Sequence, residues 1–163
     1  MSTFWRRASL IALGCALAAP ASAQLLARKD LSLAMAKTIA ETALASCIEK
    51  GFACSVVVVD RAGETLVALR GDNSGPHTME NARRKAYTAR SFRQATSAYA
   101  KKFADNDPLV RQQVTLPNVI AIPGGLPVKL GDEVIAGVGV SGSPGVDEPC
   151  VQAGLDKVAD QLK

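Results

Sequence analysis

Histidine is almost missing from this chain: His77 is the only one in 163 residues. That scarcity excludes an H-E-x-x-H zinc helix. There is no G-x-S-x-G turn to present an activated serine, and any Ser–His or Cys–His hydrolase would have to use His77 itself. No C-x-x-C or C-x-x-C-H segment occurs, so neither a thioredoxin-type pair nor covalently attached c-type haem is supported. A strong positive charge is missing too. Lys plus Arg number 19 against 15 Asp plus Glu, and without Arg6 and Arg7 the formal excess falls from +4 to +2. That is far from the basic footprint of a nucleic-acid-binding protein. There is no internal repeat, linker or low-complexity stretch. Long apolar runs are absent beyond residues 8–19, and that run is too short to span a bilayer as a helix.

Those first residues carry a pattern of their own. Arg6 and Arg7 precede the apolar run, and Ala21-Ser22-Ala23 follows it: the anatomy of a secretory signal peptide with an A-x-A cleavage site. Cys15 lies inside the run rather than at the cleavage point, which argues against a lipoprotein. The alternative is a retained anchor. The expectation is a signal peptide at 1–23 and one domain at 24–163, periplasmic or secreted, with no stable membrane insertion after cleavage. The remaining 140 residues suit one ordinary domain with a real core. Export means an oxidising compartment. Cys47, Cys54 and Cys150 remain, an odd number that allows one disulfide and one free thiol.

Hydrophobic spacing organises the rest. Met35, Ile39, Ala43 and Cys47 recur every four residues, beside a row of Ala36, Ala40, Leu44 and Ile48, and predict a helix over 30–50. Asp30 or Ser32 can cap it and Gly51 can end it. The β-branched run 55–59 suits a central strand. A D-R-A-G turn at Asp60 leads to a second strand at 65–70, completing a hairpin. A helix over 78–92 places Met79, Ala82, Ala86, Ala89 and Phe92 on one face, with Thr78 as its N-cap. A second helical piece covers 97–103, and 105–116 reads as irregular. Three strands follow at 119–122, 127–130 and 134–140, with turns at Gly124-Gly125 and Gly131-Asp132. The last helix starts near 147–149, with Pro149 in its first turn, and buries Val151, Leu155, Val158 and Leu162. Hairpin connections make the sheet antiparallel. The two terminal helices cover one face, and the middle helix is left for the other face, an edge or a partner.

Gly137-Val138-Gly139-Val140-Ser141-Gly142 matches G-x-G-x-x-G, but it lies in a predicted strand with no βαβ unit behind it. Its glycines read better as a place where another backbone or a flat ligand comes close. Asp60 reads as a turn residue, and Asp147 and Glu148 as caps of the last helix. The stretch GPHTMENARRKAYTARSF (75–92) carries the remaining chemistry. Arg83, Arg84, Arg90 and Arg93 project from the helix with Lys85 and Tyr87, and His77 stands just before it. One reading is a solvated basic face beside a loop histidine. The other is an anion or metal-porphyrin site, with His77 on haem iron, arginines on carboxylates, and Tyr87 or Met79 as further ligand candidates.

VVVVDRAG (56–63), GPHTMENARRKAYTARSF, PGGLPVKLGDEVIAGVGVSGSPG (123–145) and DEPCVQAGL (147–155), in this order, resemble the GlcG/HbpS-type haem-binding (haem-degrading domain) family over nearly all of the mature chain. The resemblance implies an α/β (α+β), profilin- or PAS-like fold: a five-stranded antiparallel sheet, ordered 2-1-5-4-3, flanked by helices. It implies a homo-oligomer, octameric in some members, and haem or iron binding in several exported ones. Other relatives are encoded beside glycolate or propanediol metabolism genes. His77 is then the candidate haem-iron ligand, and Arg84, Lys85 and Tyr87 are pocket or interface residues. In that fold the first and last helices lie antiparallel on one face. Cys47 therefore meets Cys150 in a disulfide, and Cys54 is the odd thiol.

Three functions compete at this point. One is an exported haem-binding protein that sequesters, senses or slowly degrades haem. Another is a haem-free accessory subunit of a periplasmic small-alcohol or hydroxy-acid oxidation system. The third is an enzyme acting on a small carboxylate or aldehyde, with an arginine clamp and His77 as general base.

Overall fold

The computed structural model of the chain describes residues 26–163; the signal peptide read at 1–23 lies outside the described residues. Helix α1 (Leu33–Glu49) is capped by Ser32, whose hydroxyl accepts from the Met35 amide at 3.2 Å. Asp30, the other candidate, pairs with Arg61 instead. The helix stops where Gly51 takes φ +82° and the Phe52 amide turns back to the Cys47 carbonyl, a left-handed ending open to glycine. Strands β1 (Ser55–Val59) and β2 (Thr65–Arg70) form the expected hairpin. Asp60 holds its turn by accepting from the Ala62 and Glu64 amides at 2.8 and 2.9 Å. Helices α2 (Thr78–Phe92), α3 (Thr96–Ala104) and α4 (Pro108–Gln113) follow, then β3 (Gly125–Leu130), β4 (Glu133–Ser141), α5 (Asp147–Asp156) and a 3-10 turn at Ala159–Gln161.

The sheet has four antiparallel strands, ordered β2-β1-β4-β3. The expected fifth strand at 119–122 does not form. Its backbone is satisfied by a helix instead of a ladder. The Ile120 amide donates to the Thr88 hydroxyl at 3.0 Å, and the Val119 carbonyl accepts from the Arg84 guanidinium at 2.5 Å. The segment is thereby stitched along α2, and Asn118 before it takes φ 68°. Gly124-Gly125 is accordingly no hairpin turn. Gly125 already pairs with Gly139 at the start of β3. That leaves β3 as the sheet edge, where Pro127, which has no N–H for a ladder, is tolerated. The stretch expected to be irregular contains α4, because Asp107 accepts from the Leu109 and Val110 amides and Pro108 opens the helix,.

Both faces of the sheet are covered. Ala36, Ile39, Ala40 and Ala43 of α1 and Val151 of α5 pack on Val56, Val58, Val138 and Val140. On the other face α2 lays Ala82 and Ala86 over Val57 and Val59. All five residues of β1 are therefore buried, each valine contributing roughly 1.5–3 kcal/mol. The glycines of the G-x-G pattern explain how close α2 comes. A Cβ on Gly137 or Gly139 would stand 2.3 or 2.1 Å from the carbonyl oxygens of Ala86 and Ala82. The close approach is made by a helix backbone, and the pattern is packing.

Candidate functional site

The chain before α2 is pinned at both ends. Arg70 donates to the Ser74 carbonyl at 3.0 Å, and the Ser55 and Thr78 hydroxyls meet at 2.8 Å in a buried contact. Thr78 also donates to the Gly75 carbonyl at 2.8 Å. Its hydroxyl is thus committed backwards, and the N-cap position of α2 falls to His77, whose imidazole makes no capping bond. The result is an exposed imidazole on a fixed backbone.

His77 borders a cavity of about 520 Å³ between the start of α2, the 119–124 segment and the loop joining β4 to α5. Thr78, Asn81 and Lys85 continue the lining along one stripe of α2, at the spacing of successive helical turns,. Ala53, Ile122, Pro123 and Pro144 supply apolar wall. At the back, Lys85 is only 2% exposed. Its ammonium donates to Asp147 Oδ2 at 2.7 Å and to the Val140 carbonyl at 3.0 Å. The other oxygen of Asp147 accepts from the Ser143 amide and hydroxyl at 2.9 and 2.6 Å. Pairing and hydrogen bonding are what make a buried charge tolerable.

Of the residues singled out from sequence, the structure brings His77 and Lys85 to one cavity. Arg84 and Tyr87 do not border it. The Arg84 guanidinium is taken by Val119, and the Tyr87 ring lies over Gly63, 2.7 Å from where a Cβ would be. One helical position is about 100° of rotation, so Arg84 looks away from Lys85. Asp147 and Glu148 are not caps of α5, whose N-cap is Val146. Asp147 serves Lys85 and Ser143. Glu148 accepts from the Ser97 amide and hydroxyl at 2.8 Å each and from the Gly124 amide at 3.2 Å, tying α3 and β3 to α5. Sequence reasoning missed Asn81, Ile122, Pro123 and Pro144 as wall residues. Asn81 alone had a signal, standing one helical turn before Lys85.

Near the cavity, Cys47 and Cys150 approach with Cα atoms 5.6 Å apart, inside the range a disulfide takes. Cys54 is buried and free. Burial, and then the charge of Asp147, push its thiol from the ordinary 9.0 up to about 11. It is therefore a packing residue rather than a nucleophile.

Residues 31–156 match the family described as haem degrading protein HbpS-like. The chain is similar to a double mutant of HbpS of Streptomyces reticuli, 38% identical at a TM-score of 0.76, over 85% of this chain and 96% of that one. It is similar to a 15.0 kDa protein of the dhaT-dhaS intergenic region of Citrobacter freundii, 34% identical over 69% of this chain and 80% of the relative. It is also similar to GlcG of Escherichia coli K12, 29% identical over 68% and 81% respectively.

Proposed function

Since the chain belongs to the HbpS-like, haem-degrading, GlcG/HbpS-type family, we propose that it is an exported haem-binding protein that holds haem beside His77 and sequesters, senses or slowly degrades it. The observation that carries this reading is the free imidazole of His77 at an apolar-walled cavity backed by a buried cation.

The donor set fits the group. Among the described residues no three His, Cys, Asp or Glu side chains gather as ligands. An iron that brings its own ring nitrogens needs only one protein ligand, and His77 stands ready to be it. Lys85 spends two of its three N–H donors on Asp147 and Val140, which leaves one for a carboxylate oxygen. Ile122, Pro123 and Pro144 offer apolar contact to a flat ring. Haem, when bound, supplies the redox and ligand chemistry of its iron; the protein binds, orients and shields it. Arg84 and Tyr87 are not part of this proposal, because their side chains are engaged elsewhere.

Export rests on the pattern of Arg6, Arg7 and the small-residue ending at Ala23. Self-association, up to an octamer, belongs to the same proposal and would be read by light scattering on the same sample. The deciding experiment is a haemin titration of the mature protein and of His77→Ala. A saturable Soret shift at near-stoichiometric haem, lost in the variant, is the expected result. A shift that survives in His77→Ala removes His77 as the ligand, and no saturable shift in either protein removes haem binding altogether.

A further inference from the structure

The far end of α2, roughly 22 Å from His77 along the helix axis, closes on a second basin of about 600 Å³. Four arginines and three carboxylates line it: Arg28, Arg61, Arg90 and Arg93, with Asp30, Asp60 and Glu133. The carboxylates are not shared evenly. Asp30 pairs with Arg61 at 2.7 Å, Glu133 pairs with the same guanidinium, and Arg61 also donates to the Lys29 carbonyl at 2.7 Å. Asp60 turns one oxygen to the amides of its own turn. Arg28, Arg90 and Arg93 form no ion pair among the described residues.

Arg90 is the most exacting of these. Its Nε is buried and finds no acceptor among the described residues. Burial, then the charges of Arg61 and Arg93, hold its pKa below the ordinary value, and Asp60 and Glu133 offset this only in part. A basic residue in the last turn of a helix complements the helix dipole. That does not account for a buried Nε–H left without an acceptor on a half-buried side chain, which costs free energy unless an acceptor is supplied,.

We propose that this basin is an anion site, taking a small ligand with several oxygen acceptors, of the phosphate or polycarboxylate class, between Arg90 and Arg93. The planar fork of each guanidinium suits two oxygens at once. Arg61 serves as the structural floor, its own donors already engaged. The site is separate from the His77 cavity and stands whether or not haem binds there.

The test titrates the mature protein with inorganic phosphate and, separately, with citrate, followed by calorimetry and thermal melting. Saturable binding of either anion is expected, and the arm that binds tells which class the site takes. Arg93→Gln and Arg90→Gln should each weaken it about tenfold or more. Arg93 is exposed, so its substitution leaves the fold intact even if Arg90→Gln perturbs packing. Arg111→Gln, outside the basin and stacked on Phe103, should bind as the parent does, and haemin titration should be unchanged in all three. No saturable binding of either anion, or equal affinity in the Arg90→Gln/Arg93→Gln double variant, would overturn the assignment.

Discussion

Lys85 and Asp147 show what a single buried pair demands. Lys85 is 2% exposed, and the ammonium and carboxylate meet at 2.7 Å. Removing one partner leaves the other charge buried and uncompensated, a loss of about 3–5 kcal/mol. Asp147→Ala should therefore lower stability by that amount in urea unfolding. Lys85→Met combined with Asp147→Leu should cost much less, because no lone charge remains. A double variant as unstable as the sum of the two single changes would show that the pair is not the reason for either loss. Half of this pair was legible in the sequence. The family resemblance offered Lys85 as a pocket or interface residue, but beside Arg84 and Tyr87, which do not border the cavity. Asp147 was read as a cap, because 62 residues separate it from Lys85 and no local pattern records a contact made across the fold.

At the level of elements, α2 against β4 is the contact with the least room. The Cβ of Gly139→Ala would stand 2.1 Å from the Ala82 carbonyl, and backbone on both sides can yield only by moving α2 off the sheet. Overpacking of this kind costs about 3 kcal/mol. A thermal melt of Gly139→Ala should show a clear drop in Tm, accompanied by weaker haemin binding, since Lys85 rides on the same helix. An unchanged Tm would mean that α2 is not held to β4 by this close approach. Spacing and composition predicted α1, β1, β2, α2, β4 and α5 well: α1, α2 and α5 each turn an apolar stripe to the sheet, and β1 is a continuous apolar run buried on both faces. They failed at 119–122, where an apolar run with strand-like residues is satisfied by Thr88 and Arg84 of a helix. They failed again at α4, where a cap and a proline, rather than a hydrophobic stripe, make the turn.

Across the whole molecule, α1 and α5 are joined at Cys47 and Cys150, which lie 103 residues apart in sequence and 5.6 Å apart in space. In an oxidised sample these two cysteines should form a disulfide, and closing so long a loop is worth about 4–5 kcal/mol in the chain-entropy model. Intact mass before and after reduction, followed by peptide mapping, should find Cys54 as the free thiol. Denaturant unfolding should shift by several kcal/mol on reduction. A free Cys47 in the oxidised protein would reject the pairing. The order of the main helices and strands, the β1–β2 and β3–β4 hairpins and the family were carried by residue spacing, composition and motifs, since backbone propensity and the apolar pattern of a segment are local properties. The four-stranded edge, the cavity that unites His77 with Lys85 and Asp147, and the unpaired guanidinium of Arg90 were decided only by tertiary packing. Each depends on which polar groups find partners across the fold, and that is settled by distances between residues far apart in the chain.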